Sequence, residues 1–302
     1  MNLEINTAVK GIYGFTVVNA STGASRYIGE FVAEESPNLI VTSGLNQIGS
    51  GNELIYTCVV GTDSTPTTLS MTALGNQIAT TNTQQASTQG TQSTSPYFSW
   101  YRRTFRFGQG AAAGNLTEVG VKTSGGVLFS RALIVDSAGS PTTLTILADE
   151  YLDVPYEFRM YPDTMDTIVT VPLNGTDYTC TLRSANINTI PDYFNYGISS
   201  GLGSYNTTYF YSGGIGSLTG GPSGNSYYHN HNLVGGYVND TFERVFNFSA
   251  GLNNANFNEG INSLYLRTAK GYFQVGFSPS IPKTSYMTLS LNLTIKWANY
   301  VI

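Results

Sequence analysis

Any nucleophilic or acid–base centre in this chain has two imidazoles to draw on, His229 and His231. A Ser–His–Asp or Cys–His arrangement must use one of them. Both lie in a stretch rich in Gly, Ser, Asn and Tyr, residues 199–231, with no nucleophile elbow beside them. Their spacing suits another task. In an extended segment residues i and i+2 face one side, so the two rings could share a metal, and in a trimer such pairs could meet on the symmetry axis. The H-x-H pair occurs once, and the reading adopted is a chain without metal, cofactor or catalytic residues. It is not an enzyme on this reading.

The carboxylates lead to the same expectation. Asp149, Glu150 and Asp153 form one acidic group, Asp163 and Asp166 another. Paired acids could hydrolyse a glycan or bind calcium, but the oxygen-ligand ladder of a calcium loop is missing. Solvated loop acids are the expectation. Neither a Walker loop nor a dinucleotide fingerprint is present. The one basic cluster, Arg102, Arg103 and Arg106, is interleaved with Tyr97, Phe98, Trp100, Tyr101, Phe105 and Phe107. Such a pattern could hold single-stranded nucleic acid. With a net charge of −5 there is no wider basic field, and a strand with one aromatic and one Arg face is expected instead. Cys58 and Cys180 sit in apolar runs and are expected as buried free thiols.

The elements that must position these groups are strands. Of 302 residues 41% are hydrophobic and 13% aromatic, enough for a large core, whereas only 11% are charged, against about 25% in an average soluble domain. Solubility must then rest on Ser, Thr, Asn, Gln and Gly. In Thr288–Trp297, Leu289, Leu291, Leu293, Ile295 and Trp297 alternate with Thr288, Ser290, Asn292, Thr294 and Lys296, the pattern of a half-buried strand. Tyr156, Phe158 and Met160 alternate in the same way. Further strands are predicted at Ile12–Val18, Leu54–Val60, Tyr97–Phe107, Leu116–Val121, Val127–Val135, Thr142–Leu147, Thr167–Val171, Tyr178–Arg183 and Tyr272–Phe277. Short helices are predicted at Asn38–Ile48 and Thr68–Ile78.

Residues 80–95 contain no large apolar side chain and predict a mobile loop or an extended arm whose removal leaves the fold intact. Residues 199–231 predict a long Tyr-rich loop. The resulting fold class is all-β: two β-sandwich, jelly-roll-like domains, residues 1–160 and 161–302, with long polar loops and one or two short helices. No apolar run is long enough for a membrane helix, and the start MNLEINTAVKGIYGF has no secretory pattern.

Three segments together resemble a known family. They are Asn38–Gly49 (NLIVTSGLNQIG), Cys58–Ile78 (CVVGTDSTPTTLSMTALGNQI) and Asn115–Tyr156. The second is similar to a Val-Gly-Thr-Gly signature followed by Thr/Pro and Leu, with Asp63 at the final Gly. The third is similar to an N-x-x-E-(V/I)-G … L-F-S-R-A … G … V-x-Y block. The ending MTLSLNLTIKWANY resembles a terminal strand that usually closes on Trp-Gly-Arg. These are features of tailed-bacteriophage virion structural proteins of the tail-fibre and tail-collar type. The H-x-H pair resembles the metal-binding needles of phage fibres and spikes, which normally repeat it.

The resemblance implies a structural subunit of a phage tail, in a collar, baseplate or fibre attachment, made in the host cytoplasm and carried in the virion. Its partners would be copies of itself and other tail proteins, without nucleic acid or membrane insertion. Alternatives are a receptor-binding tail protein for a host surface glycan, a capsid decoration protein and a tail-associated glycan hydrolase. For receptor contact the candidates are Tyr205, Tyr209, Tyr211, Tyr227 and Tyr228, because tyrosine offers large contact area at low entropy cost. Within the third segment Glu118 is expected to pair with Arg131 across a hairpin turned by Ser124-Gly125-Gly126, as a structural ion pair.

Overall fold

The computed structural model describes residues 3–28, 39–199, 206–230 and 233–300. Strands dominate it. In chain order the first half holds β1 (Leu3–Tyr13), β2 (Phe15–Asn19), β3 (Ser25–Ile28), β4 (Leu39–Ile40), the helix α1 (Thr42–Ile48), β5 (Thr57–Gly61), β6 (Gln77–Thr81), β7 (Gln84–Gln92), β8 (Phe98–Phe107), β9 (Gly114–Leu116), β10 (Glu118–Lys122), β11 (Leu128–Leu133), β12 (Leu144–Ile146) and β13 (Glu150–Pro162). The second half adds β14 (Thr167–Leu173), β15 (Thr176–Ala185), β16 (Thr207–Tyr211), β17 (Ser226–Asn230), β18 (Glu243–Ala250), β19 (Ile261–Thr268), β20 (Gly271–Ile281) and β21 (Leu289–Asn299).

An eight-stranded sheet forms one layer. Its order is β18-β21-β1-β13-β2-β3, with β8 also paired to β13 and β7 paired to β8. β1 runs parallel to β21, in register Leu3 with Leu293, and antiparallel to β13. The inner face carries Leu3, Ile5, Val9, Phe105, Val154, Tyr156, Phe158, Phe246, Phe248, Leu291, Leu293, Ile295 and Trp297, all buried. Two further sheets pack on that face. From the five-stranded sheet β4-β11-β10-β5-β6, Phe129 meets Phe158 and Tyr156 at ring-centroid distances of 5.7 and 6.5 Å. From the six-stranded sheet β14-β15-β20-β19-β16-β17, Phe210 meets Phe248 edge-on at 6.0 Å. Trp297 Nε1 donates to Leu45 O at 2.8 Å and so ties the last strand to α1.

The all-β class and its sheets follow from the alternating runs. A division at residue 160/161, however, cuts through the eight-stranded sheet, because β18 and β21 from the second half complete the layer begun by β1 and β13. One continuous core spans both halves.

Three local expectations are corrected. Thr68–Ile78 is not helical: the backbone N–H groups of Gly75 and Asn76 donate to the Glu118 carboxylate instead of to helical carbonyls. Residues 80–95 are largely strand, since β7 pairs along β8 from Gln84–Phe105 to Gln92–Phe98. Within 199–231, β16 and β17 form an antiparallel pair rather than a loop. Among the described residues, no helix is long and apolar enough to cross a membrane.

Candidate functional site

The six-stranded sheet turns one face to the core and the other outward. Strand alternation puts Thr208 and Phe210 of β16 inward, and Tyr209 and Tyr211 outward. The register sets Tyr209 beside Tyr228 of β17 and Tyr265 of β19. Those ring centroids lie 6.0 and 5.9 Å from that of Tyr209. Tyr265 stacks on Tyr272 of β20 at 6.2 Å with an interplanar angle of 10°. The Arg267 guanidinium sits 5.7 Å over the Tyr272 ring and pairs with Asp192 at 3.4 Å.

A flap, residues 212–225, lies beside this tyrosine row. Gln274 holds it: Nε2 donates to the carbonyls of Gly216 and Ser217, each at 3.1 Å, and Oε1 accepts from Gly216 N at 2.8 Å. Arg183 Nη1 also donates to Gly216 O, at 2.8 Å. Tyr265 is buried under this arrangement. Asn186 Nδ2 donates to its hydroxyl at 2.5 Å, and burial pushes its phenol up to about 12. Tyr228 is 60% exposed, and Tyr209 and Tyr211 are half-buried. The face therefore offers the Tyr228 ring and the partly exposed rings of Tyr209 and Tyr211, with an Arg–Asp pair at its edge and the Tyr265–Tyr272 stack buried beneath. That combination suits an apolar ring face edged with hydroxyls.

Of the five tyrosines singled out from the sequence, the structure brings Tyr209, Tyr211 and Tyr228 together on this face. Tyr227 points the other way and packs 6.4 Å from Phe210, at the edge of the core. Tyr205 lies outside the described residues. Tyr265, Tyr272 and Arg267 belong to the same face and were missed. Alternation in Ile261–Thr268 was the signal that could have found two of them.

His229 lies in β17 opposite Thr208, and His231 is outside the described residues, as is any geometry of the H-x-H pair. Among the described residues, no group of three or more His, Cys, Asp or Glu side chains is placed to hold a metal ion. Cys58 and Cys180 are buried free thiols; burial raises both, that of Cys180 to about 11.

The acids expected to be solvated are mostly paired. Glu150 accepts from Arg26 at 2.8 Å, Asp153 from Arg106 at 2.6 Å and Asp166 from Arg183 at 2.5 Å. Their arginines hold Glu150 and Asp166 below the usual carboxylate range. The basic cluster is neutralised in the same contacts. Arg102 pairs with Glu157 at 2.7 Å on the outer face of the large sheet, next to Arg106. Arg103 departs from the expected Arg face. It shares the buried side with Tyr101 and Phe105, donating to Glu53 at 2.5 Å and to the carbonyl of Ile55.

A second constellation joins the segments that carry the family resemblance. Arg131 of β11 donates from Nε to Glu118 Oε2 of β10 at 2.8 Å, and both side chains are fully buried. The remaining nitrogens of Arg131 donate to Thr65 O and Thr67 Oγ1, both at 2.9 Å, and to Asp63 Oδ2 at 3.2 Å. Glu118 accepts from the backbone N–H of Asp63, Gly75 and Asn76 at 3.3, 3.1 and 2.9 Å. The ion pair expected from the sequence thus clamps the whole 62–76 loop to the five-stranded sheet. Asp63, the residue at which the loop departs from the family signature, is a ligand of Arg131. α1 docks alongside so closely that a Cβ on Gly44 would stand 1.9 Å from Phe129 O.

Comparison with protein-family models, with curated proteins and with solved structures finds no match.

Proposed function

We propose that this chain is a structural subunit of a tailed-phage particle, a collar, baseplate or fibre-attachment component that acts by assembling with copies of itself. One observation carries the reading. All three segments that resemble virion proteins supply strands to one sheet, and the second is tied to the third by the Glu118–Arg131–Asp63 clamp. A clamp of this kind holds a loop rigid against a sheet, as a particle subunit needs, and it places no reactive group in reach of a substrate. The low charge content adds support, because a neutral polar surface depends weakly on salt. Sedimentation and negative-stain images of the purified chain test the reading. Rings or fibres are expected; a 32.5 kDa monomer at micromolar concentration, with and without tail partners, sinks it.

A second reading is receptor binding through the tyrosine face, and the specific support is exposed Tyr228 with half-buried Tyr209 and Tyr211 beside it, backed by the buried pair Tyr265 and Tyr272. Aromatic faces stack on the apolar faces of sugars. A glycan array probed with the assembled protein tests it, and the ligand expected is a host surface saccharide.

A further inference from the structure

Strand β7 ends the eight-stranded sheet, and among the described residues it pairs with β8 alone. It is the longest edge strand in the structure at nine residues, QQASTQGTQ, and Gln84–Gln89 are exposed. Long edges are ordinarily protected by charges or proline, because their free N–H and C=O groups template another strand. β7 has neither. Of the other edges, β18 carries Glu243 and Arg244, β3 carries Arg26 and β14 carries Pro172, while β4, β6 and β17, which have neither, are five residues or shorter.

The direction of the free backbone groups follows from the ladder. Arg106 N donates to Thr83 O at 2.9 Å, so the even-numbered residues of β8 turn their hydrogen bonds toward β7. Beyond the bulge at Gln84/Ala86 the partners of those residues are Ala86, Thr88, Gly90 and Gln92. Ser87, Gln89 and Thr91 therefore point their N–H and C=O away from the sheet.

We infer that β7 is a self-pairing edge, and that its occupant is β7 of a second copy of this chain, antiparallel about a two-fold axis through Gln89. The inference rests on the assembly reading above. Two-fold pairing places Gln89 opposite its own copy and Ser87 opposite Thr91 of the other subunit, and exchanges about six backbone hydrogen bonds. The side chains are self-complementary. The Gln89 amide is both donor and acceptor and so meets its own copy, while the hydroxyls of Ser87 and Thr91 donate within the subunit, to Tyr101 Oη and Asn188 O, and need no partner across the axis. Residues 77–99 contain no Asp, Glu, Lys or Arg, in a chain with a net charge of −5. Identical subunits meet on this strip without like-charge repulsion, whereas a charged partner finds nothing there to recognise. The eight-stranded sheets of two subunits become continuous.

Gln89→Pro is the test. It removes an outward N–H while every hydrogen bond to β8 remains, so the melting temperature should hold and the sedimenting species should fall to half its mass or less. Thr88→Pro, whose N–H points to β8, should instead lower the melting temperature. A Gln89→Cys chain gives an independent reading, because the two Cα atoms would lie about 5.5 Å apart, within disulfide range, and native Cys58 and Cys180 are buried. Mild oxidation should yield a covalent dimer for Gln89→Cys and not for a Tyr286→Cys control at a fully open position. If Gln89→Pro sediments like the wild type, or if Gln89→Cys stays monomeric under oxidation, the strand pairing is wrong while assembly stands. If the wild type is itself monomeric, with and without tail partners, both fail. Should Gln89→Pro not fold, the cysteine pair decides alone.

Discussion

Glu118 and Arg131 meet diagonally across the β10–β11 hairpin with 2.8 Å between Oε2 and Nε and no exposure of either side chain. Both are shut off from bulk solvent, so each depends on the other and on the loop that surrounds them. Desolvating two ions costs several kcal/mol, and removing one partner leaves the other charge buried. Glu118→Ala should lower unfolding free energy by about 3–5 kcal/mol in urea titrations. It should also open the 62–76 loop, so limited proteolysis of folded protein is expected to cut there first. A loss under about 1 kcal/mol would mean that the pair is not the clamp described.

Lys270 supplies a pH dependence. Its ammonium is fully enclosed, donating to the carbonyls of Phe194, Tyr196 and Ala269, beside the rings of Phe158 and Phe194. Burial holds its pKa well below the ordinary lysine value, and among the described residues no carboxylate pairs with it. The unfolded chain then binds a proton that the folded chain releases, in the window between the folded pKa and about 10.4. Stability from this group rises with pH across that window and falls as the pH drops through it. Lys270→Met should flatten the slope of unfolding free energy between about pH 8 and 10. An unchanged slope would show that the amine stays charged, solvated by its carbonyls.

Tyr227 and Tyr228 are neighbours with opposite surroundings, and they separate packing from binding. Tyr227→Ser removes a ring set against Phe210 and should lower the melting temperature. Tyr228→Ser removes an exposed ring and should leave it in place. If the tyrosine face binds a host glycan, Tyr228→Ser together with Tyr209→Ser lowers cell binding while oligomer size is kept. Unchanged cell binding, in a protein shown to bind cells, removes this face from receptor recognition.

Much of the strand content was readable because alternation is a local property. Leu289–Trp297 and Tyr156–Met160 declare their buried faces in consecutive residues, and the Glu118–Arg131 pair was within reach because a hairpin brings together residues only 13 apart. Composition likewise sufficed to indicate a large core, buried thiols and a surface poor in ions.

Other features depend on partners that no local pattern names. β7 has no large apolar side chain, and it is a strand because β8 supplies the other half of its ladder. β1 lies beside β21 across almost the whole length of the chain, which merges the two halves that the break between strand patterns at residues 161–166 seemed to separate. Thr68–Ile78 has helical spacing of Leu69, Leu74 and Ile78, yet the buried carboxylate of Glu118 takes its backbone N–H groups. The two faces of β16 and β17 follow from alternation, but which of them meets Phe248 and which meets solvent is set by packing against the large sheet. Lys270 stands in a turn sequence with no signal of burial, and its enclosure comes from Phe194 and Tyr196, more than seventy residues away. Local sequence encodes period and propensity; pairing and desolvation are sums over the whole chain, and they decide wherever the two conflict.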